Sequence, residues 1–220
     1  SRALILEEGL AWADLERVIR SLAQTVRETG VTVVTGDTKV VERGSADGLY
    51  INTAGIGVIP AGVDIRPQRI QPGDVMLLSG DIGRHGMAIM SAREGLEFES
   101  PIVSDVACLH RLVAGLIDAG IDIHALRDCT RGGLATAAVE LAEIAQVKLE
   151  LLENAIPVTE DVQAACEILG FDPMYVANEG CCVAFVAAAD AERALAVLHA
   201  LPEGRHAALA GRVVETVWRG

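Results

Sequence analysis

Strand-length apolar runs alternate along this chain with stretches whose apolar residues recur at helical spacing. The run Val183 to Ala189 is strand length. In residues 14–28, Leu15, Val18, Ile19, Leu22 and Val26 recur at three- and four-residue steps, and Thr29-Gly30 follows as a helix end. No run of eighteen apolar residues exists, so no helix is predicted to span a membrane. Hydrophobic residues make up 51% of the chain but aromatic ones only 3%, so Ala, Val, Leu and Ile must build the core. That composition suits sheets covered by helices, in α+β or α/β layers.

The pattern predicts strands at 31–35, 49–59, 74–79, 121–126, 147–152, 181–187 and 207–217. It predicts helices at 14–28, from the Gly83 region to about residue 94, and at 105–119. Further helices are expected from Gly133 to about residue 145, then at 159–169 and 191–201. Residues 60–73 hold three prolines and two glycines and read as a linker, which divides the chain into 1–66 and 67–220. The net charge of −13 repels polyanions, so nucleic acid is not an expected partner. A nucleotide remains possible where Mg²⁺ and a local Lys or Arg offset its phosphates. Five cysteines, scattered and odd in number, form no disulfide framework and point to a reducing, cytoplasmic compartment.

Several short motifs carry chemistry. Gly36-Asp37-Thr38-Lys39 is expected at the end of a buried strand. Glycine lets a ligand approach the backbone, a carboxylate can hold Mg²⁺, and an ammonium can offset phosphate. A hairpin loop with solvated charges explains the same residues. Asp128-Cys129-Thr130-Arg131-Gly132-Gly133 opens a helix, with Asp128 or Thr130 as cap and Arg131 as an anion-binding fork. A capped helix with an Asp–Arg surface pair is the simpler reading. Gly80-Asp81-Ile82-Gly83-Arg84-His85-Gly86 marks a strand-to-helix junction, either a ligand loop or a tight turn. His85 there is either an acid–base group or an exposed loop histidine. Asn178-Glu179-Gly180 precedes an apolar strand, where Glu179 is either partly desolvated and fit for proton transfer or a turn carboxylate in water. Cys181-Cys182 reads as buried filler on the two faces of a strand.

Taken in order, these segments resemble the HypE family of hydrogenase maturation factors, within the PurM-like (AIR synthase-related) superfamily. The resemblance rests on Leu6-Glu7-Glu8-Gly9, residues 34–41 and 51–57, residues 79–86, Arg127 to Gly133 and Ala177-Asn178-Glu179-Gly180, and it covers essentially the whole chain. It implies a two-domain α+β architecture: a partial N-terminal sheet half, whose central strand ends near Glu7, and a complete C-terminal α+β domain. It also implies ATP-dependent dehydration of an S-carbamoylated C-terminal cysteine to a thiocyanate, supplying cyanide for the iron of a [NiFe] hydrogenase. Lys39 and Glu179 are similar to the family's catalytic pair. Gly36, Asp37, Thr38, Lys39, Asp128 and Arg131 would handle ATP, with Asp37 toward Mg²⁺. The implied partners are a second copy in a homodimer, the carbamoyltransferase HypF and the HypC–HypD complex.

The chain departs from that pattern at both ends. The family begins well upstream, with Asp-bearing strands for Mg²⁺-ATP, and ends in Pro-Arg-Ile-Cys, whereas this chain stops at Trp218-Arg219-Gly220. The expectation is a fragment, inactive alone, none of whose five cysteines is the reactive terminal one. Cys181 and Cys129 stand where many members have Lys and Pro or Ala. Two other readings stay open: a small-molecule kinase or selenophosphate synthetase-like enzyme of the same superfamily, and a non-catalytic dimerisation and docking module.

Overall fold

A computed structural model describes residues 1–95 and 101–215. The chain forms two compact units, Ser1–Ala61 and Gly62–Gly220.

The first unit is a three-stranded sheet with one long helix. Strand β1 (Arg2–Glu7) lies between β2 (Gly36–Val41), which runs parallel to it, and β3 (Leu49–Thr53), which runs antiparallel. The central placement of β1 agrees with what the Leu6-Glu7-Glu8-Gly9 resemblance implies. Helix α1 (Trp12–Thr29) connects β1 to β2, the helical crossover that parallel neighbours require. It ends at Gly30, in the left-handed conformation that glycine adopts without penalty.

The expected strand at 31–35 is irregular, and the strand begins at Gly36. The ladder explains why. Arg2 faces Gly36, so β1 pairs from that point on, and the β propensity of Val31 to Thr35 meets no neighbouring strand. Gly36, Asp37, Thr38 and Lys39 therefore lie within the strand, not in a loop after it. The strand expected at 49–59 stops at Thr53 for the same kind of reason, since its pairing with Arg2 ends there.

The second unit is a five-stranded antiparallel sheet in the order β5-β7-β4-β8-β6. Its strands are β4 (Val75–Leu78), β5 (Ile123–Asp128), β6 (Lys148–Leu151), β7 (Cys182–Val186) and β8 (Ala208–Val214). Its helices are α2 (Arg84–Glu94), α3 (His110–Asp118), α4 (Gly133–Ala145), α5 (Glu160–Leu169) and α6 (Ala191–His199); α4 covers one face of the sheet, and α3 and α6 cover the other.

The period-two alternation of strand side chains divides the core. Met76, Leu78, Val183 and Phe185 pack with Leu134, Ala137 and Leu141 of α4. Leu77, Ala184 and Val186 pack with Leu112 and Leu116 of α3 and with Ala194 and Leu198 of α6. A third cluster joins Met87 of α2 to Val162, Ala165 and Cys166 of α5. Burying both faces explains why β4 and β7 read as unbroken apolar runs. Together with the antiparallel pairing, it makes the architecture α+β.

A register irregularity between Ile123 and Ala125 turns His124 inward, where it is 3% exposed. Its Nδ1 meets Asp74 Oδ2 at 2.6 Å and its Nε2 meets Asp122 Oδ2 at 3.1 Å. Arg69 pairs with Asp122 at 2.7 Å and donates to the Asp64 and Ile123 carbonyls. The residues after Gly62 are thus tied to β5. They include a short 3₁₀ turn at Pro67–Arg69 where the linker was expected.

Candidate functional site

In the second unit, three loops from three strand ends converge on one side chain. Residues 79–83 leave β4, residues 129–132 leave β5, and residues 177–181 enter β7. Asn178, fully buried, joins them. Its Oδ1 accepts the Gly83 N–H at 2.7 Å, and its Nδ2 donates to the Cys129 carbonyl at 2.9 Å and the Val176 carbonyl at 3.0 Å. Its own N–H also donates to the Cys129 carbonyl, at 3.1 Å, and the Gly86 N–H donates to the Ala177 carbonyl. A buried amide with this many satisfied bonds fixes relative loop position more tightly than apolar contact does.

Glu179 follows directly, and its side chain is exposed. Of the two readings of Glu179, this agrees with the turn carboxylate in water: the buried residues are its neighbours Asn178 and Gly180. The residue after it is packed against a fourth segment. A Cβ on Gly180 would lie 1.8 Å from the Asp105 carbonyl oxygen, so glycine is required there. Asp105 itself accepts the N–H groups of Glu179 and Gly180, each at 3.1 Å. Beside this turn opens a polar cleft of about 290 Å³, lined among others by Gly80, Asp81, Arg84, Asp105, Gly180 and Arg205. Arg84 clasps Asp81 within it. His85 lies in the first turn of α2, not in a loop, and its Nδ1 meets Ser104 Oγ at 2.9 Å.

The Asp128 motif behaves differently from its sequence reading. Asp128 ends β5, and no side chain caps α4; the Thr130 hydroxyl donates to Asp128 instead, at 2.7 Å. The acidic side chain lies near Arg127 rather than Arg131. Arg131 is exposed and makes no ion pair among the described residues. Gly133, at φ 64°, is explained by the chain's own backbone, because a Cβ there would lie 2.5 Å from the Met174 carbonyl oxygen. Close approach by a ligand is not needed to account for it.

In the first unit, Gly36, Asp37, Thr38 and Lys39 occupy the edge strand β2. Asp37 and Lys39, two residues apart, share one face. Both are exposed, and Lys39 has no ion pair among the described residues. Asp37 accepts the Thr38 N–H at 2.8 Å. No cluster of three or more His, Cys, Asp or Glu side chains is placed to hold a metal ion among the described residues. A lone exposed carboxylate fits Mg²⁺ only where nucleotide phosphates and water supply the other ligands. The structure thus places Lys39 and its neighbours on one unit, and Asp128, Arg131 and Glu179 on the other.

All five cysteines are free, and only Cys108 is exposed. Cys181 and Cys182 are buried, as the strand reading expects. The Cys129 thiol meets the Cys181 thiol, and this contact, then burial, pushes it far above its ordinary range. Burial pushes the Cys182 thiol up to about 11. Raised in this way, the Cys129 and Cys182 thiols are poor nucleophiles at neutral pH.

Asn178, Asp105 and His124 carry much of this order; sequence reading quoted Asn178 only as part of the Glu179 motif and gave Asp105 and His124 no role. Asp105 was hidden by a helix expected at 105–119, which in fact starts at His110. The available signal was a lone carboxylate in the stretch 101–109, where Ser104 is the other polar residue.

An antiparallel sheet layered by helices and a Gly-bearing polar cleft define a class of protein, and the chain belongs to the AIR synthase related protein family. Residues 2–59 match that family's N-terminal domain and residues 71–217 its C-terminal domain. Within it, the chain is similar to hydrogenase maturation proteins. It is 54% identical over 210 residues to carbamoyl dehydratase HypE of Azotobacter vinelandii, covering 96% of this chain and 62% of that protein. It matches a HypE–HypF complex crystal structure with TM-score 0.95 and 44% identity, over 98% of this chain and 70% of that one. It matches HypE in complex with ATP with TM-score 0.94 and 48% identity, over 98% of this chain and 64% of that one. The chain therefore spans less than two thirds of the length of the curated relatives it matches. No helix among its described residues is long and apolar enough to cross a membrane.

Proposed function

We propose that the protein containing this chain is a carbamoyl dehydratase of hydrogenase maturation. It uses ATP to convert an S-carbamoylated cysteine, on its own C-terminal tail, to a thiocyanate. The observation that carries this reading is the fixed presentation of Glu179: an exposed carboxylate whose two flanking residues are buried and hydrogen-bonded. The chain's similarity to carbamoyl dehydratases over nearly its whole length supports it.

The chemistry divides into two steps. Oxygen leaves an amide badly, so the carbamoyl oxygen first attacks the γ-phosphorus, ADP departs, and one N–H proton is lost. Phosphate then leaves carbon as the second N–H proton is removed, giving S–C≡N. The sum is thiocarbamate plus ATP to thiocyanate, ADP, phosphate and one proton. Lys39, a free cation on an edge strand, offsets phosphate charge. Asp37 and Thr38 flank the phosphates, where Mg²⁺ would neutralise charge when bound. Asp128 and Arg131 contribute to nucleotide handling. Glu179 takes the nitrogen-bound proton.

In this reading the protein works in the cytoplasm as a homodimer, receives the carbamoyl group from HypF, and passes cyanide to HypC–HypD for the hydrogenase iron. Five unpaired cysteines fit that reducing compartment. The experiment is single-turnover conversion of the carbamoylated tail by the full-length protein, followed by mass spectrometry, beside nucleotide binding. Glu179→Gln is expected to bind ATP normally and to convert about a hundred- to ten-thousand-fold more slowly. Lys39→Ala is expected to weaken nucleotide binding. Wild-type conversion by both variants would overturn the assignment.

A further inference from the structure

We propose that Asp105 is a positioning residue for Glu179, acting through the backbone of the turn that carries it. The inference rests on the reading of Glu179 as proton acceptor. Asp105 is 7% exposed. A carboxylate out of water is costly unless its oxygens are hydrogen-bonded, and here both are used on consecutive peptide groups. Oδ1 accepts the Glu179 N–H and Oδ2 the Gly180 N–H. The contact is returned, because the Glu179 carbonyl accepts the Ala107 N–H at 3.4 Å. No cation pairs with Asp105 among the described residues, and the two backbone N–H groups are its side-chain hydrogen-bond donors.

Segment 104–107 is itself anchored. Ser104 Oγ accepts the Val106 N–H at 3.2 Å and meets His85 Nδ1 on α2. On the far side of Glu179, Asn178 is tied to Gly83 and Cys129. Both peptide groups of Glu179 are therefore held, and only its side chain is free to rotate. Such pre-organisation matters because a shift of about 1 Å in a reacting group can cost about a hundredfold in rate.

The substitution Asp105→Asn replaces one acceptor oxygen by an NH₂ group that faces an N–H donor. In the full-length protein it is expected to slow tail conversion about ten- to a hundredfold with nucleotide affinity unchanged. Amide hydrogen exchange in the peptide spanning residues 178–182 is expected to rise. In a Glu179→Gln background the same substitution is expected to add less than about twofold, since a removed base has no position to lose. An equal cost in both backgrounds would overturn the inference, because Asp105 would then act independently of Glu179. Wild-type conversion by Glu179→Gln alone would remove the base assignment and this inference with it, a result distinct from the additive one. Asp105→Ser, which keeps one oxygen acceptor, carries the same cycle if Asp105→Asn does not fold.

Discussion

Replacing Asn178 by Ala tests the idea that one amide holds three loops together. The side chain makes three hydrogen bonds, to Gly83 N–H, the Cys129 carbonyl and the Val176 carbonyl. The Cys129 carbonyl keeps a partner in the variant, because the Asn178 N–H still donates to it. Two buried backbone groups, at Gly83 and Val176, lose theirs. Each orphaned group costs about 1–3 kcal/mol, so the variant is expected to lose about 2–6 kcal/mol. With a urea slope of about 2 kcal/mol/M, a loss of about 4 kcal/mol lowers the midpoint by about 2 M. Urea unfolding followed by far-UV circular dichroism measures it, and native-state hydrogen exchange at Gly83 and Gly86 locates it. Asn178→Asp keeps the acceptor for Gly83 but turns two donations into oxygen–oxygen repulsions, so it is expected to be at least as harmful at neutral pH. A loss below about 1 kcal/mol for Asn178→Ala, or a stable Asp variant, would refute the hub.

Gly133→Ala places a Cβ 2.5 Å from the Met174 carbonyl oxygen at φ 64°, and a loss of about 2 kcal/mol should lower Tm by about 4–8 °C in a scanning melt. Alkylation of the native chain with iodoacetamide, mapped by mass spectrometry, should label Cys108 quickly and the four buried thiols only after unfolding. Arg69 first, and then His124, hold the Asp122 carboxyl below its ordinary 3.8, so below that value the unfolded chain binds more protons than the folded one and stability rises with pH. That contribution is present above 3.8 and is lost as pH falls through the lower folded value; Asp122→Asn should flatten the acid side of a stability–pH curve measured from about pH 2 to 5.

Layering was legible in the sequence because it follows from periodicity. Helix α1 was placed from apolar spacing, β7 from an unbroken apolar run, and α5 and α6 were expected close to where they lie. Strand boundaries were less legible, since pairing register decides them: Val31 to Thr35 has strong local preference and no neighbour, while Gly36 to Lys39 has weak preference and a partner in β1. Sequence order also concealed the antiparallel topology, in which β4 is flanked by β7 and β8. For the site, the glycines announced crowding but not its cause. Gly133 faces Met174 and Gly180 faces Asp105, each a contact across the fold that no local motif contains. Glu179 was legible as a turn residue, yet its exposure depends on the burial of its neighbours, which only the tertiary structure fixes.

The position of β4 governs how the second unit is made. This strand is the first of its sheet to leave the ribosome, and the two strands that flank it, β7 and β8, are the last two in the sequence. At about 5–20 residues per second, translation from Leu78 to Cys182 lasts on the order of ten seconds. Throughout that interval Val75 to Leu78 lacks both strands that flank it in the fold, while α2 to α5 are being synthesised. A nascent chain stalled or cut short before β7 therefore carries an unpaired apolar strand, a target for chaperones or for aggregation, and the helices made in the meantime have no sheet on which to dock.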